Sequence, residues 1–418
     1  MKKQKRNRRP SQPKNRLAVF SQVCKLIPSH LVSKLARLYG NDLKARTFSP
    51  WSHVVSLIFA QMTRALSLND VCDALRNHSA KLASIRGAVA PPRNTLSHAN
   101  RTRDPQMMED LLWRTMDHLR AVSPGFFGHS RYIKLPRKFK RMIHAVDSTT
   151  ISLVANSIDW AKHRRRKAAA KCHLRLNMQD MLPRFAVVDT AKESDSKRAH
   201  EVCLGIQSGE IVVFDKAYID FDHLCELDCE GITWITRGKD NMRYRVKKKR
   251  LRKPQGKVIR DDEIELVNPK TKESYPQTFR RIEAWVMVDN KEVLMVFITN
   301  NMELAASSIC ELYRCRWSIE VFFKELKQCL QLCDFIGYNE NAVKWQIWAA
   351  LLTYILLRYL AFLSQWHHSF TRIWTMVRGV LWARYDLLAL LRSYGTAGGC
   401  YRALGQPEYA YLPGLAPT

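Results

Sequence analysis

The chain has 418 residues, too many for one ordinary core and enough for two or three domains. With 46% hydrophobic and 10% aromatic residues it can bury a sizeable core, which excludes wholesale disorder. Its 68 Lys and Arg against 38 Asp and Glu leave a net charge of +30, more than a merely soluble surface requires. Such an excess points to a polyanionic partner, because each phosphate neutralised by Lys or Arg releases condensed counterions. Charge alone leaves ribosomal and anionic-membrane proteins open. The 11 cysteines are odd in number and scattered, which argues against a disulfide framework and for a reducing cytoplasm. Cys225 and Cys229, with His223 nearby, lack common zinc spacing, as do Cys329 and Cys333, so buried reduced thiols are expected there.

In chain order, residues 1–16 carry eight Lys or Arg, and the first acidic residue is Asp42. Residues 1–25 are therefore read as a basic flexible arm that touches phosphates without reading bases, with no secretory signal. A helical pattern follows, and residues 26–130 are assigned to a helical N-terminal domain expected to bind DNA. Ser67 is a plausible N-cap, and a second short helix starts near Asn94, after Pro91 and Pro92, and ends in the basic stretch to Arg103. The two could form a helix-turn-helix or simply part of a helical bundle.

The texture changes near Tyr132. Short apolar runs at Met142–Val146, Lys171–Leu176, Phe185–Val188, Ile211–Phe214 and Ile232–Thr236 read as strands, with a helix around Lys197–Leu204. This alternation predicts a mixed α/β sheet over residues 131–365. A β-rich insertion interrupts it at about 239–302, very basic from Arg245 to Arg260 and closing on a hairpin around Asp289 and Asn290. Helices are expected from Leu304, including a C-terminal helical region over 366–418. The run Ile347–Leu363 approaches a membrane span in length, but Arg358 interrupts it and Arg372, Arg378 and Arg384 follow, so a buried core helix is expected.

The segment Tyr313–Lys327 is the most informative. On one helix Tyr313, Arg316, Glu320 and Lys327 fall within an arc of roughly 60°. Leu312, Ile319, Phe322, Phe323, Leu326 and Leu330 form the neighbouring apolar stripe. That row is either a solvated face with an Arg316–Glu320 pair or one wall of a site. Asp147 and Asp215 each follow a predicted strand, where α/β sheets present polar groups. Two Asp and one Glu offer the hard oxygens that Mg²⁺ prefers, suited to two-metal phosphoryl transfer. Asp189, Asp195, Asp220 and Asp222 compete with Asp215 on this reasoning.

The spacing Tyr313-x2-Arg316-x3-Glu320-x6-Lys327 resembles the Y-(2)-R-(3)-E-(6)-K signature of DDE transposases of the insertion-sequence 4 family. Ala145-Val146-Asp147 resembles the family's first catalytic segment. Asp215-Lys216-Ala217-Tyr218 resembles the second, with Ala for the commoner Gly and the aromatic one position early. Residues 38–103 also resemble the small helical domain found ahead of some of these enzymes.

This resemblance implies an α/β, ribonuclease-H-like mixed-sheet catalytic core with a β-rich insertion, flanked by helical regions. It implies catalysis by Asp147, Asp215 and Glu320 holding two Mg²⁺, with Mn²⁺ as a substitute. It implies DNA contacts from Tyr313, Arg316 and Lys327, and a dimer acting on double-stranded DNA, at element ends and target, in the bacterial cytoplasm and nucleoid. Trp285, the one Trp in the insertion, either stacks on a flipped base or alternates into a hairpin core. The competing functions are a ribonuclease-H-like nuclease without strand transfer and a non-catalytic DNA-binding protein derived from a transposase.

Deleting residues 1–16 is expected to weaken binding to all DNA sequences alike and to flatten its salt dependence. Titration at several ionic strengths checks this; an unchanged salt slope contradicts it.

Overall fold

The structure is a computed structural model that describes residues 15–43, 45–128, 139–153, 162–164, 167–190, 194–288, 291–330, 337 and 339–393. Most of the basic arm, the tip of the Asp289–Asn290 hairpin, Cys333 and the chain end lie outside these residues. By their contacts the residues divide into two units, one of residues up to Phe126 together with those from Glu325 onward, the other Phe127–Lys324. The helices after Glu325 thus group with the N-terminal helices, whereas the sequence reading placed residues up to 365 with the sheet.

The first unit is helical. Residues 19–24, assigned to the arm on charge, form the helix Val19–Cys24, because Val19, Phe20 and Val23 supply an apolar face that is buried. Ser67 caps Leu68–Asn77 by accepting from Asp70 N at 3.2 Å. The helix Ser79–Ala83 then intervenes before Arg93–Thr102, so these helices lack the short direct turn of a helix-turn-helix and the bundle alternative holds. The core element is Glu340–Leu363, which packs on Pro50–Thr63, Gln106–Val122 and Arg93–Thr102. It is long and apolar enough to cross a membrane, and here its apolar surface is buried by protein. Arg358 is tolerated inside because its Nε donates to the Tyr354 hydroxyl at 2.7 Å and Nη2 reaches Glu325 at 3.5 Å.

The second unit is built on one ten-stranded sheet. Its strands are β1 (Ile143–Leu153), β2 (Lys162–Arg164), β3 (Lys167–Asn177), β4 (Pro183–Thr190), β5 (Ile211–Phe214), β6 (Thr233–Arg237), β7 (Tyr244–Lys249), β8 (Val258–Leu266), β9 (Phe279–Val288) and β10 (Lys291–Thr299). Along the sheet β4, β3, β1, β5 and β6 are neighbours, with β1, β5 and β6 parallel and β3 antiparallel to both β1 and β4. This order and these senses are those of a ribonuclease-H-like core. β5 (Ile-Val-Val-Phe) is buried throughout, as a central parallel strand must be. Val146, Val212, Phe214 and Trp234 pack with Ala199 and Val202 of helix Asp195–Cys203 and with Leu224 and Leu227 of helix Phe221–Cys229.

The insertion extends this sheet. β10 pairs antiparallel with β6, and β9, β8 and β7 follow in a meander. β7 and β8 escaped the sequence reading because charged residues replace apolar alternation. Asp261 is buried in β8, where Arg280 of β9 grips it through Nε at 2.6 Å and Nη2 at 2.5 Å.

Three buried histidines tie stability to pH. Burial pushes His53 down to about 3, and burial likewise lowers His144 and His173. All three stay neutral in the fold but protonate near pH 6.5 once unfolded, so the unfolded state binds more protons below that pH. Their contribution is full above about pH 6.5 and is lost as the pH falls towards the depressed values. Thermal melts are expected to show Tm falling from about pH 6.5 downwards; a flat profile would contradict this.

Candidate functional site

The parallel pairing of β1 with β5 ends at Val146↔Phe214, and the next residue on each strand is an aspartate. Asp147 and Asp215 therefore sit side by side just past the end of the parallel pairing, roughly 4.8 Å apart in backbone. Asp147 lies within β1 and not after it, because β1 goes on pairing with β3 as far as Leu153. Its Oδ1 accepts from Ser148 N at 2.8 Å. Asp215 Oδ1 accepts from Ala217 N at 3.1 Å and so caps the single 3-10 turn Lys216–Tyr218.

The third carboxylate arrives on a helix. The segment expected to be one helix is two, Ala306–Cys315 and Trp317–Cys329, joined at Arg316. There the backbone tightens, with Arg316 N donating to Tyr313 O at 3.0 Å. Tertiary electrostatics accompany this local departure from helical geometry. The Arg316 side chain is only 8% exposed, and its Nη1 is 2.8 Å from Asp147 Oδ2. Its Nη2 is 2.6 Å from Glu320 Oε1 and 3.9 Å from Asp215 Oδ2. One guanidinium thus gathers the three carboxylates.

The electrostatics are tightly coupled. Burial raises the Asp147 carboxyl to about 6, Arg316 and the Ser148 amide oppose that, and Asp215 and Glu320 add to it. Burial alone would lower Arg316, but Tyr313 and the three carboxylates outweigh it and hold its pKa above the ordinary value. Tyr313 is buried against Phe297 of β10, ring centroids 5.0 Å apart, and its ring lies 5.6 Å from the guanidinium carbon. Burial raises its hydroxyl pKa.

The competing aspartates make other bonds. Asp189 pairs with Arg198, and Asp195 accepts from Ser148 Oγ at 2.7 Å and pairs with Lys171 at 2.9 Å. Asp220 caps helix Phe221–Cys229, and Asp222 stands in that helix's first turn. Among the described residues none of these four pairs with Arg316. The sequence reading missed Ser148, His173 and Tyr218 as companions of the aspartates. Only the early aromatic at Tyr218 offered a signal.

Lys327 follows Glu320 by seven residues on the same helix, half-buried, past the boundary between the two units. Trp285 is on β9, four strands from β1, roughly 19 Å at the usual strand spacing. Trp285 is 40% exposed. It lines a cavity of about 1040 Å³ together with Lys248, Lys249, Lys257, Arg280 and Arg314.

Three carboxylates around one buried positive charge form a donor set that suits a hard divalent cation. Among the described residues no three such side chains are arranged to hold a metal ion as they stand, since these three turn onto Arg316. The donor chemistry fits.

Comparison with known proteins identifies the family. Residues 15–85 match a domain of unknown function. The y4zB protein of Sinorhizobium fredii, which carries a transposase name, is 29% identical over 259 residues, 61% of this chain and 71% of that protein. A Geobacillus stearothermophilus protein, which carries the name of a transposase for insertion sequence element IS5377, is 28% identical over 233 residues, 55% of this chain and 60% of that one. The piggyBac transposase in its synaptic complex with hairpin DNA superposes with a TM-score of 0.47 at 9% identity, covering 97% of this chain and 87% of that one. Residues 138–356, more than half of the chain and including all three carboxylates, match the transposase DDE domain. The chain belongs to the transposase DDE domain family.

Proposed function

We propose that this chain is a transposase of the insertion-sequence 4 family that cleaves DNA at the terminal inverted repeats of an insertion sequence and joins the ends to target DNA. The observation that carries the reading is the convergence of Asp147, Asp215 and Glu320, from two strands and a helix, on Arg316. In this reading the three carboxylates are the catalytic metal ligands, for two Mg²⁺ or, as substitute, Mn²⁺. Bound there, the ions would activate the attacking oxygen and stabilise the leaving one.

The protein's own groups do the rest. Arg316, released from the carboxylates, is a guanidinium suited to bidentate contact with a phosphate of the cleaved strand. Tyr313 holds it through ring contact, and Lys327 supplies a second cation further along the helix. Exposure of Glu320, 54%, leaves that ligand open to incoming DNA. Trp285 and the cationic cavity around it offer a stacking surface for bases. The working species is a dimer on paired ends in the bacterial cytoplasm, at the nucleoid.

Asp147→Ala, Asp215→Ala and Glu320→Ala are each expected to lower Mg²⁺-dependent cleavage of element-end DNA by on the order of 10² or more, with DNA affinity retained. Any of the three that still cuts at the wild-type rate is not a ligand. Cutting without joining by the wild-type protein would favour the nuclease, and neither activity a non-catalytic binder. Arg316→Ala is expected to impair cleavage or joining and to destabilise the metal-free fold by about 1–3 kcal/mol, since it leaves carboxylates uncompensated. Lys327→Ala is expected to impair the same chemistry with the fold intact. Unchanged chemistry in both variants would overturn the phosphate-clamp role.

A further inference from the structure

On the face of β1 opposite Asp147 lies a second polar group. Strand alternation sends Ser148 to that face, where its Oγ donates to Asp195 Oδ1 at 2.7 Å. Asp195 opens helix Asp195–Cys203, and the same oxygen is held by Lys171 Nζ at 2.9 Å. His173 pairs with Ser148 across β1 and β3, and its Nδ1 stands 3.4 Å from Asp195 Oδ1. The same nitrogen is 2.9 Å from the Tyr218 hydroxyl. Tyr218 ends the turn that Asp215 caps, and its side chain is fully buried. A continuous chain of contacts therefore runs from the residue after Asp147, through Asp195 and His173, to the turn that begins at Asp215.

We propose that Ser148, Asp195, His173 and Tyr218 are positioning residues that fix the separation of Asp147 and Asp215. The inference rests on the reading of those two aspartates as metal ligands. Besides this linkage the two aspartates are tied by the parallel pairing that ends at Val146↔Phe214 and, on the opposite face, by Arg316. Groups that orient ligands in this way change metal affinity when removed, typically by about 10–100-fold. Asp195, a competitor for the ligand role on sequence alone, acts here through Ser148 and His173. The early aromatic in Asp215-Lys216-Ala217-Tyr218 follows from the same geometry, since a single 3-10 turn carries Tyr218 to His173.

The test uses the full chain and Tyr218→Phe, Ser148→Ala, Ser148→Thr and Asp195→Ala. Mg²⁺ and Mn²⁺ binding is measured calorimetrically without DNA, and the Mg²⁺ concentration for half-maximal cleavage on element-end DNA. Tyr218→Phe, Ser148→Ala and Asp195→Ala are expected to raise the metal dissociation constant and the half-maximal Mg²⁺ concentration by about 10-fold or more, and Ser148→Thr, which keeps the hydroxyl, to restore them. The Tyr218→Phe/Asp195→Ala double variant is expected to lose less than the sum of the singles, because both act through one chain. Asp228→Asn is the control: Asp228 accepts from Tyr275 and Asn300, each at 2.7 Å, in the same unit. It is expected to lower Tm and leave the metal dependence unchanged. Wild-type metal dependence in folded Tyr218→Phe and Ser148→Ala overturns the proposal, and these two decide it if Asp195→Ala fails to fold. A wild-type protein that neither binds metal nor cleaves overturns the metal-ligand reading and this inference with it.

Discussion

A buried guanidinium shared by three carboxylates organises the second unit of this protein. Arg316 could not be sunk to 8% exposure without partners, because desolvating an unpaired cation is expensive. Its partners come from β1, from the end of β5 and from the helix that follows it, so one interaction ties three elements together. Three negative charges face one positive charge, and the surplus makes the cluster attractive to further cations. The Asp147 carboxyl, raised to about 6, registers that surplus together with its burial.

The sheet makes this convergence possible. Parallel β1 and β5 bring two residues 68 positions apart in the chain side by side where their pairing ends. The insertion prolongs the same sheet through β10, which carries the basic strand β7 and Trp285 away from the carboxylates on a continuous hydrogen-bonded frame. Lys247, Lys248 and Lys249 are exposed there, a concentration of charge suited to phosphates. The helical unit has a different logic: one apolar helix, Glu340–Leu363, is covered by the helices around it, and its single interior arginine is neutralised by Glu325 and Tyr354.

Much of this was legible in the residues. Short apolar runs marked β1, β3, β4, β5 and β6, a hairpin signal marked β9 and β10, and the spacing of Tyr313, Arg316, Glu320 and Lys327 marked a helix face. Apolar runs report burial against an apolar neighbour, as in β5, whereas the distal halves of β9 and β10 expose theirs. β7 and β8 were illegible because their charged side chains are exposed or, as with Asp261 and Arg280, satisfied by one another.

The sequence by itself determined which residues could carry the chemistry: two aspartates after apolar strands, a glutamate on an amphipathic helix, and an excess of positive charge for a polyanion. Strand and helix patterning could not choose Asp215 over Asp189, Asp195, Asp220 or Asp222, because all are acidic residues near strand or helix ends, and only the motif resemblance of Asp215-Lys216-Ala217-Tyr218 singled it out. Only the tertiary structure shows which of them lies near Arg316, since that distance depends on which strands lie side by side and in which direction they run. It also decided that Arg316 breaks a helix that periodicity alone would have continued, and that Ser148, His173 and Tyr218 meet behind the carboxylates. Those contacts join residues far apart in the chain, and local propensity carries no information about such distances.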